Sequence, residues 1–395
     1  MRKSRPLVMR IITRLAGGGP PVHATLLNRR LQDHGFDSVL VFGECSANEI
    51  NVESLLASSD LVERVPMLGA KLNPLRDVAA LFHIWRLILR YQPDIVHTHT
   101  AKAGFIGRIA AILAGVPHIV HTYHGHVLEG YFGKALNLLL QLIEKLLANG
   151  SSALCTVSAQ QLQELSNEYR IGPREKFHVV QLGMDLKPFS KLPPPDFSST
   201  KLTVGWLGRF VPIKNLGLLL DVIQQCEARA LPLQFLIAGD GPERGWLEEE
   251  VRGRNLHSAK LLPWQDRIEG MLTQCHLLIL TSHREGTPLA LIQGMAAGRP
   301  FVATPAGGTV DLTTGTCLMS PSNWRHGNAV LVKAESTAFA DTFEQLLSDR
   351  ESLSRMGLAA QGFALDHFGE QRLLADVASL YENLMEAQDG VGVRS

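Results

Sequence analysis

The sequence predicts an α/β protein built as two similar halves, each a parallel sheet covered by helices. Three observations lead there. From residue 7 onward, short Val/Ile/Leu-rich runs alternate with amphipathic stretches of about ten to fifteen residues, the rhythm of βαβ units. That rhythm stops at residues 188–200, where Lys191-Leu192-Pro193-Pro194-Pro195-Asp196-Phe197 has no periodicity and much stiffness, and then resumes. A chain of 395 residues is also long enough for two separate cores.

Taken in order, residues 1–15 open with the basic character of a signal peptide, but Arg10 and Arg14 interrupt the apolar core such a peptide needs. Residues 7–15 are therefore expected to be the first buried strand. Further strands are expected at 37–43, 94–99, 118–123, 152–157 and 177–182. Between the second and third, Val78, Phe82, Trp85 and Leu89 recur at helical spacing with Arg76, Arg86 and Arg90 elsewhere on the turn, so this stripe is expected to cover the sheet. The apolar helix at 134–148 carries Asn137, Gln141, Glu144 and Lys145 and is too polar to span a bilayer. It can pack against the sheet or rest on lipid. A second set of strands is expected at 202–207, 233–238, 276–281, 300–304 and 328–332, with one more just before Leu262-Pro263-Trp264. Residues 315–327 read as a long loop holding Trp324, Arg325 and His326, and the last 60 residues as helices. The division is thus 1–187 for the first domain, 188–200 for the linker, 201–369 for the second domain and about 370–388 for a final helix.

Charge and cysteine usage narrow the function. With 38 basic and 38 acidic residues no global field draws in nucleic acid, and a small ligand is the better expectation. The five cysteines (Cys45, Cys155, Cys226, Cys275, Cys317) form no Cys-x-x-Cys pair, so neither a disulfide framework nor a zinc knuckle is expected, and a reducing, cytoplasmic setting fits.

The strongest candidate site follows Leu277–Leu280, where a polar turn opens into a helix with Pro288 expected in its first turn. Strand ends of open α/β sheets face a crevice, and helix starts offer unpaired N–H groups, so an anion suits this junction. Glu285 and Gln293 stand eight residues apart, about 12 Å if helical throughout, and would hold two parts of one extended ligand. Leu207-Gly208-Arg209 ends a strand, and Lys214-Asn215 precedes a helix. Arg can fork two phosphate oxygens and Lys supplies a point charge, which together suit a diphosphate. Gly17-Gly18-Gly19 lets backbone amides approach a ligand, although any tight β-to-α turn favours glycine. No Gly-x-Gly-x-x-Gly pattern for a dinucleotide follows it. Six histidines fall within residues 97–126, among them His97, His99, His121, His124 and His126. Since alternate strand residues share a face, metal ligation is one reading and packed core histidines another; no acid or cysteine completes a recognisable set, and no metal is expected.

Glu285-x7-Gln293 followed by Met295-Ala296-Ala297-Gly298 resembles the Glu-x7-Glu element of the retaining, nucleotide-sugar-dependent glycosyltransferases of family 4. Gly208-Arg209 through Lys214-Asn215, Thr122-x-His124-Gly125, the Gly18-Gly19 turn, Gly239-Asp240-Gly241-Pro242 and Gly307-Gly308 are similar to that family's other motifs. The resemblance implies a GT-B fold: two facing Rossmann-like domains with parallel sheets, and a C-terminal helix returning to the first domain. It implies hexosyl transfer from a nucleotide-diphosphate sugar, with UDP the commonest base, to a glycan or lipid-linked acceptor. Arg209 and Lys214 would clamp the diphosphate, Glu285 would meet the donor sugar, and position 293 would take the ribose. Gln293 departs from the family's Glu there. Thr287, Leu289 and Gly208 would line the phosphates, Gly18 and Gly19 would lie beneath the donor, and His124 would contact the transferred sugar. Trp264 falls where the family places the base, or simply packs. No Asp-x-Asp motif is present, so metal-independent transfer without a cofactor is expected, along with possible peripheral contact with the inner membrane face. The alternative readings are a non-catalytic nucleotide-sugar-binding protein and a sugar-nucleotide epimerase of the same fold.

Overall fold

The computed structural model describes residues 5–46, 49, 51–125, 134–265, 267–315, 318–319 and 322–392. Met1 to Ser4, His126, Cys317 and part of the 315–327 stretch lie outside the described residues. The chain divides into two compact units, Met1–Met184 with Glu370–Ser395, and Asp185–Gly369.

The first unit runs β1 (Leu7–Arg14), α1 (Gly19–Arg30), β2 (Asp37–Gly43), β3 (Val62–Arg64), α2 (Pro74–Tyr91), β4 (Ile95–His99), α3 (Ala101–Leu113), β5 (His118–Tyr123), α4 (Lys134–Asn149), β6 (Ala153–Thr156), α5 (Ala159–Gln163) and β7 (Phe177–Val179). Its seven strands are ordered β3-β2-β1-β4-β5-β6-β7, and every described pairing is parallel. Strand alternation sends Met9 and Ile11 to one face, under α2 and α3, and Val8 to the other. There Val8 packs with Leu27, Leu373, Val377 and Tyr381, so the helix beginning at Glu370 completes this unit's core.

The edge strand β3 escapes the sequence reading because Val62-Glu63-Arg64 has no apolar run to betray it. A second correction concerns α2. Asn73 caps it, accepting from the Arg76 amide at 3.2 Å, and Pro74 opens it, but the buried stripe is Ala80, Ile84, Leu87 and Ile88. Val78, Phe82 and Leu89 are exposed and only Trp85 leans on the core, so the stripe expected to cover the sheet faces outward. Both faces of this helix are apolar, and periodicity cannot set the phase of such a helix.

The second unit runs α6 (Lys187–Ser190), β8 (Leu202–Arg209), α7 (Leu216–Ala228), β9 (Leu233–Asp240), α8 (Arg244–Gly253), β10 (Ala259–Leu262), α9 (Glu269–Leu272), β11 (Leu277–Leu280), α10 (Leu289–Ala296), β12 (Phe301–Ala303), β13 (Leu318–Met319), β14 (Asn323–Arg325), β15 (Ala329–Val332), α11 (Ser336–Ser348) and α12 (Arg350–Phe368). α13 (Glu370–Gly392) follows and belongs to the first unit. The sheet order is β10-β9-β8-β11-β12-β15-β14-β13. It is parallel from β10 to β15, and β14 and β13 extend it antiparallel. Thus part of 315–327 is not loop. Trp324 pairs with Leu331 in the sheet, and the Arg325 guanidinium bonds Ser352 on α12 and Asp349, which caps that helix. Residues 188–200 contribute Phe197 to this unit's core, beside Trp206 and Leu202.

Candidate active site

The carboxyl ends of β8 and β11, neighbours in the second sheet, carry the sequence-predicted clamp. Arg209 is the last residue of β8, and a short 3-10 turn, Pro212–Lys214, follows it. The turn after β11 is stitched to that element twice. The Thr281 hydroxyl donates to the Lys214 carbonyl at 3.1 Å, and the His283 amide donates to the Ile213 carbonyl at 2.9 Å. This registration brings Lys214 Nζ to 2.6 Å from Glu285 Oε1, which also accepts from the Ser282 hydroxyl at 2.5 Å. The ammonium has three donors, so one bond to Glu285 leaves two for a ligand. Arg209 is exposed and, among the described residues, its guanidinium makes no ion pair or hydrogen bond. An unpaired guanidinium at the end of β8 and a part-buried Lys–Glu pair at the turn that follows leave one net positive charge on this segment, which suits an anion.

Support comes from beneath. The Gly308 amide donates to the Glu285 carbonyl at 3.1 Å. A Cβ on Gly307 would overlap the Glu285 carbonyl oxygen and one on Gly308 that of Gly286, so only glycines let these two turns nest. Gly307 also sits at φ 54, in the left-handed region.

The helix after this turn begins one residue later than the sequence suggests. Pro288 is the N-cap of α10, not part of its first turn, and its carbonyl accepts from Leu291 and Ile292. Leu289 and Ala290 therefore head the helix with amides that have no intrahelical partner. Thr287 Oγ1 is buried without a partner beside them. Gln293 lies one turn into α10, half-buried, and its amide makes no hydrogen bond among the described residues. Of the Glu285–Gln293 stretch only 289–293 is helical, which replaces the fully helical spacing expected from sequence. Gly208 pairs with Gly239 across β8 and β9. Trp264 stands just past β10, half-buried, two strands from β8. A groove of about 370 Å³ lined by Ser282, His283, Thr304 and Trp324 opens beside the Glu285 turn and includes neither Glu285 nor Arg209.

In the first unit the histidines separate by role. His97 is saturated, with Nδ1 2.5 Å from the Tyr381 hydroxyl and Nε2 2.7 Å from Thr122 Oγ1. His121 points to the opposite face, where Nδ1 lies 2.8 Å from Thr98 Oγ1 and a side chain at Gly104 would strike its ring. Both are structural. His99 and His124 converge, Nδ1 to Nε2, at 3.2 Å. His23, from α1, joins them with ring centroids 5.5 and 5.1 Å away. The sequence reading passed over His23 as a member of this group; only the parallel order β1-β4-β5 brings residues 23, 99 and 124 together. Gly18, at φ 146, caps α1 and Gly19 starts it. Thr100, just past His99, is held at φ 68 with its hydroxyl 2.7 Å from that of Thr13, a strained position for a β-branched residue.

Two family profiles match this chain, Glycosyltransferase Family 4 over residues 17–187 and Glycosyl transferases group 1 over residues 201–349. The chain belongs to the family 4 glycosyltransferases. This glycosyltransferase is 29% identical over 287 residues to the Escherichia coli UDP-Gal:alpha-D-GlcNAc-diphosphoundecaprenol alpha-1,3-galactosyltransferase, covering 70% of this chain and 69% of the relative. Its fold is that of the GT-B enzymes. A sucrose-phosphate synthase from Thermosynechococcus elongatus superposes with a TM-score of 0.78 at 17% identity over 97% of this chain and 100% of the other. Anabaena HepE, in complex with UDP, gives 0.75 at 19% identity over 95% and 99%.

Burial gives the enzyme an acid limit. Desolvation holds His23, His97, His99 and His121 well below the usual imidazole range, with positive neighbours adding to it, and pushes His124 down to about 3. An unfolded chain takes up these protons near pH 6.5, whereas the folded chain does not until far lower. Stability is therefore full above that value and falls as pH drops toward 3, by up to about 1.4 kcal/mol per pH unit per histidine. The melting temperature is expected to fall between pH 7 and pH 5. A flat profile over that range would contradict the buried neutral cluster.

Proposed function

We propose that this glycosyltransferase moves a hexose or N-acetylhexosamine from a UDP-sugar to a glycan or lipid-linked acceptor, with retention of anomeric configuration. The Lys214–Glu285 pair at the turn that follows β8, with the Arg209 guanidinium unpaired at that strand's end, carries the reading. Transfer breaks the bond between the anomeric carbon and the diphosphate oxygen, and the electron pair leaves with phosphate. Cations are then needed where that charge appears, and oxygens near the sugar carbon. Arg209, Lys214 and the amides of Leu289 and Ala290 are assigned to the first task. Glu285 is assigned to the sugar. The acceptor hydroxyl forms the new bond, and its proton passes to the departing phosphate. Two side-chain cations and a helix start serve the diphosphate, so no metal is assigned to it, and removal of Mg²⁺ is expected to leave the rate unchanged.

The UDP base is supported by the galactosyltransferase relative, named for UDP-Gal, and by the HepE complex with UDP. A screen of nucleotide sugars by thermal shift tests it, since a ligand raises the melting temperature only by favouring the folded state. UDP-sugars are expected to give the largest shift and, with an acceptor, to release UDP. No shift from any of them would sink the reading.

Gln293 offers the ribose hydroxyls one carbonyl acceptor where a carboxylate would offer a charged pair. Restoring the charge is worth about 1–2 kcal/mol, so Gln293→Glu is expected to lower the donor KM roughly tenfold. An unchanged or higher KM would remove position 293 from donor binding.

The lipid-linked acceptor suits the outer faces of α2 and α4. No helix among the described residues is long and apolar enough to cross a membrane. Leu75, Val78 and Phe82 on α2 and Leu138, Leu142 and Leu146 on α4 are nevertheless exposed, with Arg76, Arg86 and Arg90 on α2. α3 packs against both helices and adds exposed Phe105 and Leu113. This is the pattern of a surface that rests on anionic lipid at the cytoplasmic face of the membrane. Flotation with anionic vesicles is expected to carry the protein upward, and Phe82→Ser with Leu146→Ser to abolish it. Equal flotation of that variant would reject this face.

A further inference from the structure

We propose that His23, His99 and His124 form a three-imidazole site for a divalent cation of the Zn²⁺ or Co²⁺ class. They stand at the carboxyl ends of the adjacent strands β1, β4 and β5, His23 reaching in from the second turn of α1. One ring nitrogen from each lies within 4.8 Å of the others. Tetrahedral zinc with bonds of about 2.0–2.1 Å separates its ligand nitrogens by about 3.3 Å. The His99–His124 pair already stands at 3.2 Å, and His23 needs to close by at most about 1.5 Å.

The independent observation is the state of His23. It is 2% exposed, and neither ring nitrogen has a hydrogen-bond partner. Buried polar atoms are costly when unpaired, and structural histidines avoid that cost as His97 does, through Tyr381 and Thr122. No carboxylate is among the three ligands, and Arg10, bonded to Tyr381 near His97, opposes a dication. The site therefore selects an ion that binds imidazole strongly, not Mg²⁺ or Ca²⁺, which favour oxygen. Three protein ligands leave a fourth position for water.

The test uses the full chain after chelator treatment, titrated with Co²⁺ alone. One equivalent is expected to produce the intense visible d–d absorption of a tetrahedral nitrogen site, which Zn²⁺ displaces and Mg²⁺ does not. His23→Ala and His99→Ala are expected to weaken Co²⁺ binding at least about tenfold, while the exposed-site control His257→Ala leaves it unchanged. His23→Gln, which keeps a polar side chain, covers the case in which the alanine variant fails to fold. In wild type Zn²⁺ is expected to raise the melting temperature, and in His23→Gln it is not. Absence of the band, or an equal band and equal Zn²⁺ stabilisation in the folded His23 variants, would overturn the site.

Discussion

Arg209→Ala is expected to lower kcat by about 10²–10³ while leaving the melting temperature in place. The two halves of this expectation have separate causes. The Arg209 side chain is exposed at the end of β8 and, among the described residues, makes no hydrogen bond or ion pair, so truncating it removes neither, and such surface changes usually stay within about 0.5 kcal/mol. Its whole effect is then on the charge that develops on the leaving diphosphate. Arg209→Lys should recover only part of the loss, because a point charge cannot fork two phosphate oxygens. A variant with wild-type kcat, measured under saturating donor, would remove Arg209 from the transition state.

The second large effect belongs to a residue that touches no ligand. Gly308→Ala puts a methyl group into the Gly286 carbonyl, and backbone on both sides must move. Overpacking of this kind costs about 1–3 kcal/mol, which the second unit's core can absorb. The Glu285 turn cannot, because the Gly308 amide holds the Glu285 carbonyl and Glu285 holds Lys214. A displacement of about 1 Å in positioning groups can cost 10²-fold in rate, and a loss of that order is expected with the fold retained by circular dichroism. Gly245→Ala, in α8 with open space around it, is the control expected to change neither. Equal activity in the two variants would mean that the Gly307–Gly308 turn does not position Glu285.

What could be read from sequence follows from how each feature is encoded. Parallel strands buried on both faces, such as Leu277–Leu280, are continuous apolar runs, and they stand out. The edge strands do not: Val62–Arg64 is short and charged, and Asn323–Arg325 is polar at a sheet margin. The outward stripe of α2 misled because that helix is apolar on two sides. At the clamp, residue types and spacing pointed to Arg209, Lys214 and Glu285 as ligand groups. The ion pair between the last two, and hence which cation stands free, depended on the registration of Thr281 and His283 on the Pro212–Lys214 turn. His23 was invisible as a partner of His99 because 76 residues separate them and sheet order alone makes them neighbours.

The central claim is that Arg209 and Lys214 grip the diphosphate of the nucleotide. Calorimetry of UDP against UMP, in wild type and in Arg209→Ala, tests it most directly, because the two ligands differ by the outer phosphate. Wild type should bind UDP more tightly than UMP, and in Arg209→Ala that preference should shrink by about tenfold or more. An unaltered preference in the variant would place the diphosphate elsewhere and contradict the account.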